Sequence, residues 1–459
     1  MVKIFNHYLH KQVLLQVVFD LFLVLCAIGI ATPWNRIDAG LALSLLGYGL
    51  LLACGFLAIN ISLGLYQRYH HRSVRQSYAR AFLSLLLTLP FAYVLFGGLP
   101  DVYSGRDRLL LAAIAGVIGV IAHRVYAAHA APQPGMRYRV LIFGTGPRAA
   151  KVGKSLQEAD RHVDVVGYYA SPNETEQQVS SARLLPSHRT LAQTVEDLKI
   201  DEVVVALGER RGGSMPLREL LDCKLRGVRV VDMATHFETV LGQIRLDSLY
   251  AGWLIFGDGF GHGGLRVIVK RLFDIVCALV LIVLSLPVML VTAALIKLES
   301  KGGIFYFQER TGFNGKPFNV VKFRSMRTDA EKDGKPQWAQ AQDSRVTRVG
   351  NIIRKIRVDE LPQLFVVLKG DMSLVGPRPE RPFFVEQLTS QIPYYAVRQS
   401  VKPGLTGWAQ VRYHYGATLE DSAEKLQYDL YYVKNHSLFL DLVILFETVS
   451  VVLLGKGAR

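Results

Sequence analysis

Cysteine is scarce, with four in 459 residues. Cys26, Cys54 and Cys277 lie in apolar runs and Cys223 stands alone, so no pair has ligand spacing, and neither a zinc site nor a disulfide framework is expected. Acidic residues are in deficit, 38 against 53 Lys and Arg, leaving a net charge of +15. That balance favours anionic partners, and charge alone does not choose among nucleic acid, acidic headgroups and phosphorylated substrates. Apolar residues are abundant: half the chain is hydrophobic and the mean hydropathy is +0.23, high enough to look for membrane segments. The length exceeds what one core usually organises, so at least two folded units are expected.

Four apolar stretches come first, at about 13–31, 40–65, 80–99 and 108–124, each near the ~20 residues a spanning helix needs. They predict a four-helix transmembrane region over 1–130. A signal peptide fits poorly, since the first stretch is long and further spans follow it. The linker "YQRYHHRSVRQSYAR" and both flanks of the set are basic, whereas "TPWNRIDAG" and "PDVYSGRDR" are closer to neutral. By the positive-inside rule the N-terminus, the second linker and everything after Tyr126 face the cytoplasm.

Next, "YRVLIFGTGPRAAKVGKSL" leads an apolar run into Gly144-x-Gly146-x-x-Ala149 and a helical pattern. With "VDVVGYYA", "DEVVVALG" and "GVRVVDM" following, it predicts a Rossmann-like α/β domain over 136–250. Glycines at that turn suit a phosphate at a helix N-terminus, but a purely structural β-to-α turn needs them equally. The structural reading is favoured, because no acidic ribose ligand closes a second strand, Asp164 lying inside its own apolar run. A glycine-rich linker spans 251–265, including "FGDGFGHGG".

A fifth apolar segment runs from about Ile275 to Ile296, with Ser285-Leu286-Pro287 near its middle and Lys270, Arg271, Lys297 and Lys301 on its flanks. Basic residues at both ends argue that both stay on one side, and the proline makes a sharp bend cheap. A re-entrant helix-break-helix over about 270–298 is therefore expected, with a Pro-kinked spanning helix as the alternative. The apolar C-terminal "SLFLDLVILFETVSVVLLGK" carries Asp441 and Glu447, costly in lipid, and reads as an interfacial or core-docking helix.

Between these segments lies "IRKIRVDELPQLFVVLKGDMSLVGPRPE", residues 353–380. An adjacent Asp-Glu pair is usually just the acidic first turn of a helix. Here Asp359 and Glu360 stand beside Arg354, Lys355 and Arg357, with a Pro377-Arg378-Pro379 turn downstream. Arginine forks could hold a diphosphate while one carboxylate attacks phosphorus, and carboxylates suit Mg²⁺. The chemistry points to phosphoryl transfer at a membrane surface; a basic face that merely docks on acidic lipid is the bland alternative.

"KRLFDIVCALVLIVLSLPVMLVTAALIKLES", "FQERTGFNGKPFNVVKFRSM", "RVTRVGNIIRKIRVDELPQLFVVLKGDMSLVGPRPE" and "KPGLTGWAQV" resemble, in order, the bacterial sugar transferases, the monotopic phosphoglycosyl transferases. The resemblance covers about 266–459, and the whole layout is similar to the long form that initiates exopolysaccharide or O-antigen synthesis, including exosortase-associated members. It implies a membrane protein of α plus α/β class: four N-terminal transmembrane helices, a Rossmann-like domain and a monotopic re-entrant-helix catalytic domain over 266–459. It further implies that Asp359 is the nucleophile and a Mg²⁺ ligand, Glu360 its acidic partner, and Arg354, Arg378, Lys322 and Arg324 phosphate-binding groups, with Ser285 and Pro287 at the helix break. Many members have Ser and Pro adjacent at that break; here Leu286 separates them. The implied partners are a UDP-hexose, with a lean to UDP-glucose, undecaprenyl phosphate, membrane lipid and a second copy of the chain, but no nucleic acid. The implied place is the bacterial inner membrane, with the catalytic domain in the cytoplasm where nucleotide sugars are made.

Two rival classes remain. A nucleotide-sugar dehydratase or epimerase generally needs a Tyr-x-x-x-Lys pair beside NAD, and none occurs in the chain. A non-catalytic scaffold of polysaccharide assembly would have no need of the Asp359-Glu360 pair and its arginines.

Overall fold

The computed structural model describes residues 2–4, 7–9, 11–32, 39–66, 74–97, 106–129, 138–159, 163–171, 174, 176–186, 189–207, 215–249, 259–260, 263–327, 345–413 and 418–453. The expected glycine-rich linker at 251–265 falls mostly outside them, as does the middle of the arginine-rich linker before the third helix. The chain divides into two compact units, one built on residues 10–242 and one on 2–9 with 243–459.

In the first unit, helices α1 (Lys11–Ala31), α2 (Ala39–Ser62), α3 (Val74–Gly97) and α4 (Arg106–His129) form an antiparallel set. By length and composition α1, α2 and α3 could cross a membrane, while the apolar stretch described in α4, Leu110–His123, is shorter. Val24, Leu52, Phe56, Phe96, Val117 and Val120 fill their shared core, and Leu15, Leu43, Phe82 and Leu111 point outward. An apolar exterior around an apolar core is what a lipid environment selects. Two polar contacts join neighbouring helices within it: the Tyr66 hydroxyl donates to Asp20 at 2.8 Å, and Ser84 to Asn60.

The same unit holds a four-stranded parallel sheet of β3 (Tyr138–Phe143), β4 (Val163–Tyr169), β5 (Glu202–Val205) and β6 (Arg229–Asp232), in the order β4-β3-β5-β6. Helices α5 (Pro147–Ala159), α6 (Leu191–Asp197), α7 (Leu217–Leu225) and α8 (Met233–Leu241) alternate with the strands. Side chains are buried on both sheet faces, in clusters around Ile142 and Val204 and around Leu141 and Val203. That explains why these strands read as unbroken apolar runs. The strand order reverses between β3 and β5, where a doubly wound sheet offers its crevice, and the Gly144–Gly146 loop ends β3 there.

The second unit begins with a hairpin of β1 (Val2–Ile4) and β2 (His7–Leu9), whose His7 packs edge-on to Trp408 and Tyr431 and meets the Tyr431 hydroxyl at 2.8 Å. Helix α9 (Gly264–Glu299) then runs unbroken for 36 residues. This differs from the expected helix-break-helix: Pro287 removes one internal hydrogen bond, yet the flanking turns stay helical, so Ser285 and Pro287 sit inside one helix. Both ends of α9 are fastened within this unit. Arg271 donates to the carbonyls of Val367 and Leu368, both at 2.6 Å, while Glu299 accepts from the backbone N–H of Arg348 at 2.8 Å. Between these fastenings Val283, Leu284 and Leu290 are exposed.

After α9 come an antiparallel hairpin, β7 (Phe305–Thr311) with β8 (Pro317–Phe323), and helices α10 (Arg348–Lys355) and α11 (Gln363–Lys369). Strand β9 (Ser373–Val375) pairs in parallel with β10 (Gly404–Thr406), and α12 (Pro382–Gln391) lies between them in sequence. Helices α13 (Trp408–Arg412), α14 (Leu419–Asn435) and α15 (Leu438–Leu453) close the unit around Leu364, Leu374, Trp408, Leu430 and Ile444. Helix α15 docks on this core as the sequence suggests. Its Asp441 and Glu447 are buried and paired, with Lys270 at 2.9 Å and Arg412 at 2.6 Å.

Candidate active site

Residues 347–363 are shaped by sharp local rules. Thr347 caps α10 by accepting from the Gly350 N–H at 2.9 Å, and a Cβ on Gly350 would meet the Ser325 carbonyl at 2.0 Å. Arg357 ends the segment in the left-handed region at φ 61°, uncommon for a residue with a side chain, and turns the chain into a 3₁₀ turn, Val358–Glu360. Pro362 then starts α11, where its missing N–H costs nothing. The effect is to place Asp359 and Glu360 on a rigid corner, with Asp359 only 8% exposed.

Two other elements bring cations to this corner. Lys322 stands on β8, two residues from the buried Val320, and its Nζ donates to Glu360 Oε1 at 3.1 Å. Arg378 stands on the turn after β9, and its Nη2 donates to the same oxygen at 2.9 Å; Arg357 Nη1 lies 3.9 Å away. The turn is held by Gly376, whose N–H donates to Thr406 and whose Cβ position would meet the Lys402 carbonyl at 2.3 Å. Lys322, Arg378, Arg310, Val320, Gln363 and Gly404 line a shallow, open cleft.

The electrostatics separate the two carboxylates. Glu360 is held far below the usual carboxylate range by Arg378, Lys322 and Arg357, which outweigh its burial. Asp359 goes the other way: burial and the Glu360 charge push it up to about 6, against the pull of Lys322, Arg357 and Arg378. One carboxylate is therefore a fixed anion that organises cations, and the other is a more basic carboxylate still ionised at neutral pH.

Of the residues singled out in the sequence, Asp359, Glu360, Lys322 and Arg378 come together. Arg324 is spent elsewhere: its guanidinium donates to the carbonyls of Ser300 and Lys301, both at 2.9 Å, and to the Ser300 hydroxyl, fastening the chain after α9. Arg354 is half-buried in the last turn of α10, and its side chain makes no hydrogen bond or ion pair with the described residues. Arg357 is the basic neighbour of the acidic pair that the sequence already marks, whereas Gln363 was not foreseen, although its position four residues after Asp359 could have flagged it.

The Gly144–Gly146 loop is a different kind of site. Gly144 is left-handed at φ 127°, with its Cβ position 3.0 Å from the Ala206 carbonyl, and Ala149 packs in the first turn of α5. The N–H groups of Thr145 and Gly146 donate to the Glu174 carboxylate at 2.6 and 3.1 Å. The anion on this loop is thus a side chain of the chain itself.

The family model for bacterial sugar transferases matches residues 265–455, and one for a CoA-binding domain matches 61–215. A UDP-N-acetylgalactosamine-undecaprenyl-phosphate N-acetylgalactosaminephosphotransferase of Aeromonas hydrophila is 46% identical over 242 residues, 53% of this chain and 56% of that protein. A UDP-glucose:undecaprenyl-phosphate glucose-1-phosphate transferase of Klebsiella pneumoniae is 44% identical over 197 residues, 42% of each chain. The chain thus spans about half the length of these two relatives. A UDP-glucose:undecaprenyl-phosphate glucose-1-phosphate transferase of Xanthomonas campestris pv. campestris is 31% identical over 362 residues, 75% of this chain and 73% of that protein.

Proposed function

The chain belongs to the bacterial sugar transferase family, and from that premise we propose that it moves a hexose 1-phosphate from a UDP-hexose to undecaprenyl phosphate, as the first membrane step of exopolysaccharide assembly. The observation that carries this reading is the buried Asp359 beside a Glu360 already neutralised by Lys322 and Arg378. In the first step an Asp359 carboxylate oxygen bonds to the β-phosphorus as the bond from that phosphorus to the bridging oxygen breaks, and UMP leaves with the electron pair. In the second, a phosphate oxygen of the lipid attacks the same phosphorus and Asp359 leaves as carboxylate, giving an undecaprenyl-diphosphate sugar. Lys322 and Arg378 offset the repulsion between anions in both steps.

Mg²⁺ suits this donor set. Among the described residues no three His, Cys, Asp or Glu form a cage, and Mg²⁺ usually uses one or two carboxylates together with substrate phosphates. Asp359 would hold it, and the ion would supply neutralisation of the diphosphate charge. The polar fastenings of both ends of α9 within one unit support both ends lying on the cytoplasmic side, although the helix is continuous through Pro287 and long and apolar enough to cross a membrane. With α1 to α4 spanning the inner membrane, the cleft then faces the compartment of its donor. The long-form layout supports a homodimer, which light scattering in nanodiscs tests; a monomer there ends that part of the reading.

The relatives' names divide between glucose and N-acetylgalactosamine donors, so the sugar is a matter for measurement. The test is UMP release from a panel of UDP-sugars by protein in nanodiscs with Mg²⁺, with and without undecaprenyl phosphate. A burst of UMP without lipid, an intact mass raised by one hexose phosphate, and lipid-dependent turnover are expected. Turnover that requires both substrates at once, with no adduct, would overturn the covalent route.

A further inference from the structure

Resting on the transferase reading above, we propose that Arg398, held by Asp429, is a positioning residue that sets Arg378 against Glu360. The turn bearing Arg378 is gripped from behind. Its consecutive carbonyls are each taken by a different arginine: Arg398 Nη2 donates to that of Arg378 at 2.8 Å, and Arg310 Nη1 to that of Pro379 at 3.1 Å. Arg310 in turn lies 3.5 Å from Glu380.

Arg398 is 8% exposed, and each of its three guanidinium nitrogens has a partner inside the unit. Nε reaches Asp429 Oδ2 at 2.9 Å, Nη1 reaches the Tyr395 hydroxyl at 3.2 Å, and the guanidinium carbon lies 5.2 Å from the centre of the Tyr395 ring. Asp429, on α14, is 2% exposed. A buried ion pair of this kind contributes little net stability over an apolar pair of the same size. What it contributes here is direction: a planar fork fixes three acceptors at once, and one of them is the backbone of the residue whose side chain holds Glu360. Arg378 Nη2 sits 2.9 Å from Glu360 Oε1, so a shift of about 1 Å in the turn would break that bond. Asp359 would then face Glu360, Lys322 and Arg357 with one cation fewer.

A double-mutant cycle separates positioning from general support. Arg398→Lys, Arg378→Gln and the double variant are compared in full-length protein in nanodiscs, by UMP release across donor concentrations and by calorimetric affinity for UDP. Arg398→Lys should lower kcat about tenfold or more while KM rises less than about threefold, because Arg398 acts on the turn and not on the donor. In the Arg378→Gln background it should cost less than about twofold, because its target is already gone. Equal costs in both backgrounds, or a KM that rises as far as kcat falls, would reduce Arg398 to a structural role. Should Arg398→Lys fail to fold, the isosteric Asp429→Asn runs the same cycle. A wild type that binds UDP but releases no UMP sinks the transferase reading alone, and the binding cycle then decides the positioning claim; one that does neither overturns both.

Discussion

Two carboxylates in this chain sit on seats made for anions, and the seats are built from different material. Glu174 rests on the backbone N–H groups of Thr145 and Gly146 at the end of β3. Glu360 rests on the side-chain cations of Lys322 and Arg378. Amide dipoles bind an anion without leaving net charge, so a single internal carboxylate completes the first seat. Formal charges do more: two cations and the nearby Arg357 on one carboxylate leave a positive surplus at the cleft, and the next carboxylate, Asp359, lies within reach of it. The first arrangement is finished as it stands, whereas the second is ready for a further anion.

The largest expected effect breaks the second seat's chemistry while keeping its shape. Asp359→Asn should lower UMP release by roughly a thousandfold or more, as removal of a covalent nucleophile does. It should also stabilise the protein at pH 7.5. Asp359 is pushed up to about 6 in the folded chain, above its unfolded value, so the folded state binds the proton more tightly and stability falls as pH rises through that range. Abolishing the charge removes up to about 3 kcal/mol of that cost, read as a melting temperature several degrees higher. The gain should shrink as pH drops from 6 toward 4. A variant that melts lower at every pH would mean that Asp359 supports the fold.

Glu360→Gln sharpens the contrast by removing the anion and keeping the cations. It should lower kcat by about ten- to a hundredfold, since Lys322 and Arg378 lose the group that orients them. The Glu360 charge also helps hold Asp359 up, so the acidic limb of the pH profile should move below its wild-type position. An upward move would mean that the cations had left the site, and the account of Glu360 as their organiser would fail.

The cationic seat was largely legible in the sequence and the amide seat was not, for a physical reason. Asp359, Glu360 and Arg378 fall in one span, and Lys322 in a motif of fixed order beside it, so spacing and resemblance together named them. Arg324, two residues from Lys322, read the same way but is committed to Ser300 and Lys301, because strand spacing gives a face and not a partner. Arg398 and Arg310 act through carbonyls of a distant turn, contacts that periodicity does not encode. The unbroken α9 shows the same limit: a mid-segment proline announces a weak point, yet losing one internal hydrogen bond does not by itself break a helix. The sheet of the first unit was readable because both of its faces are buried. Glu174 sits in the polar stretch "SPNETEQQ", where nothing marks one carboxylate over the next.

The smallest expected effect falls on that residue. Glu174→Ala removes the acceptor of three hydrogen bonds, from the N–H groups of Thr145 and Gly146 and the Thr145 hydroxyl. The site is only partly buried, so water replaces much of the loss, and the cost should be about 1–2 kcal/mol. UMP release should stay within about twofold of wild type, since the reacting carboxylate belongs to the other unit. The informative measurement is melting with added pyrophosphate. With the seat vacated, pyrophosphate should add more stability to the variant than to wild type, where only the cationic cleft of the other unit is open to it, because a ligand stabilises only a fold that has room for it. If wild type gains as much, Glu174 does not close the loop, and the two seats differ less than their geometry suggests. If neither gains, the loop is shaped for Glu174 alone, and the glycines at 144 and 146 serve the turn from β3 into α5 and nothing more.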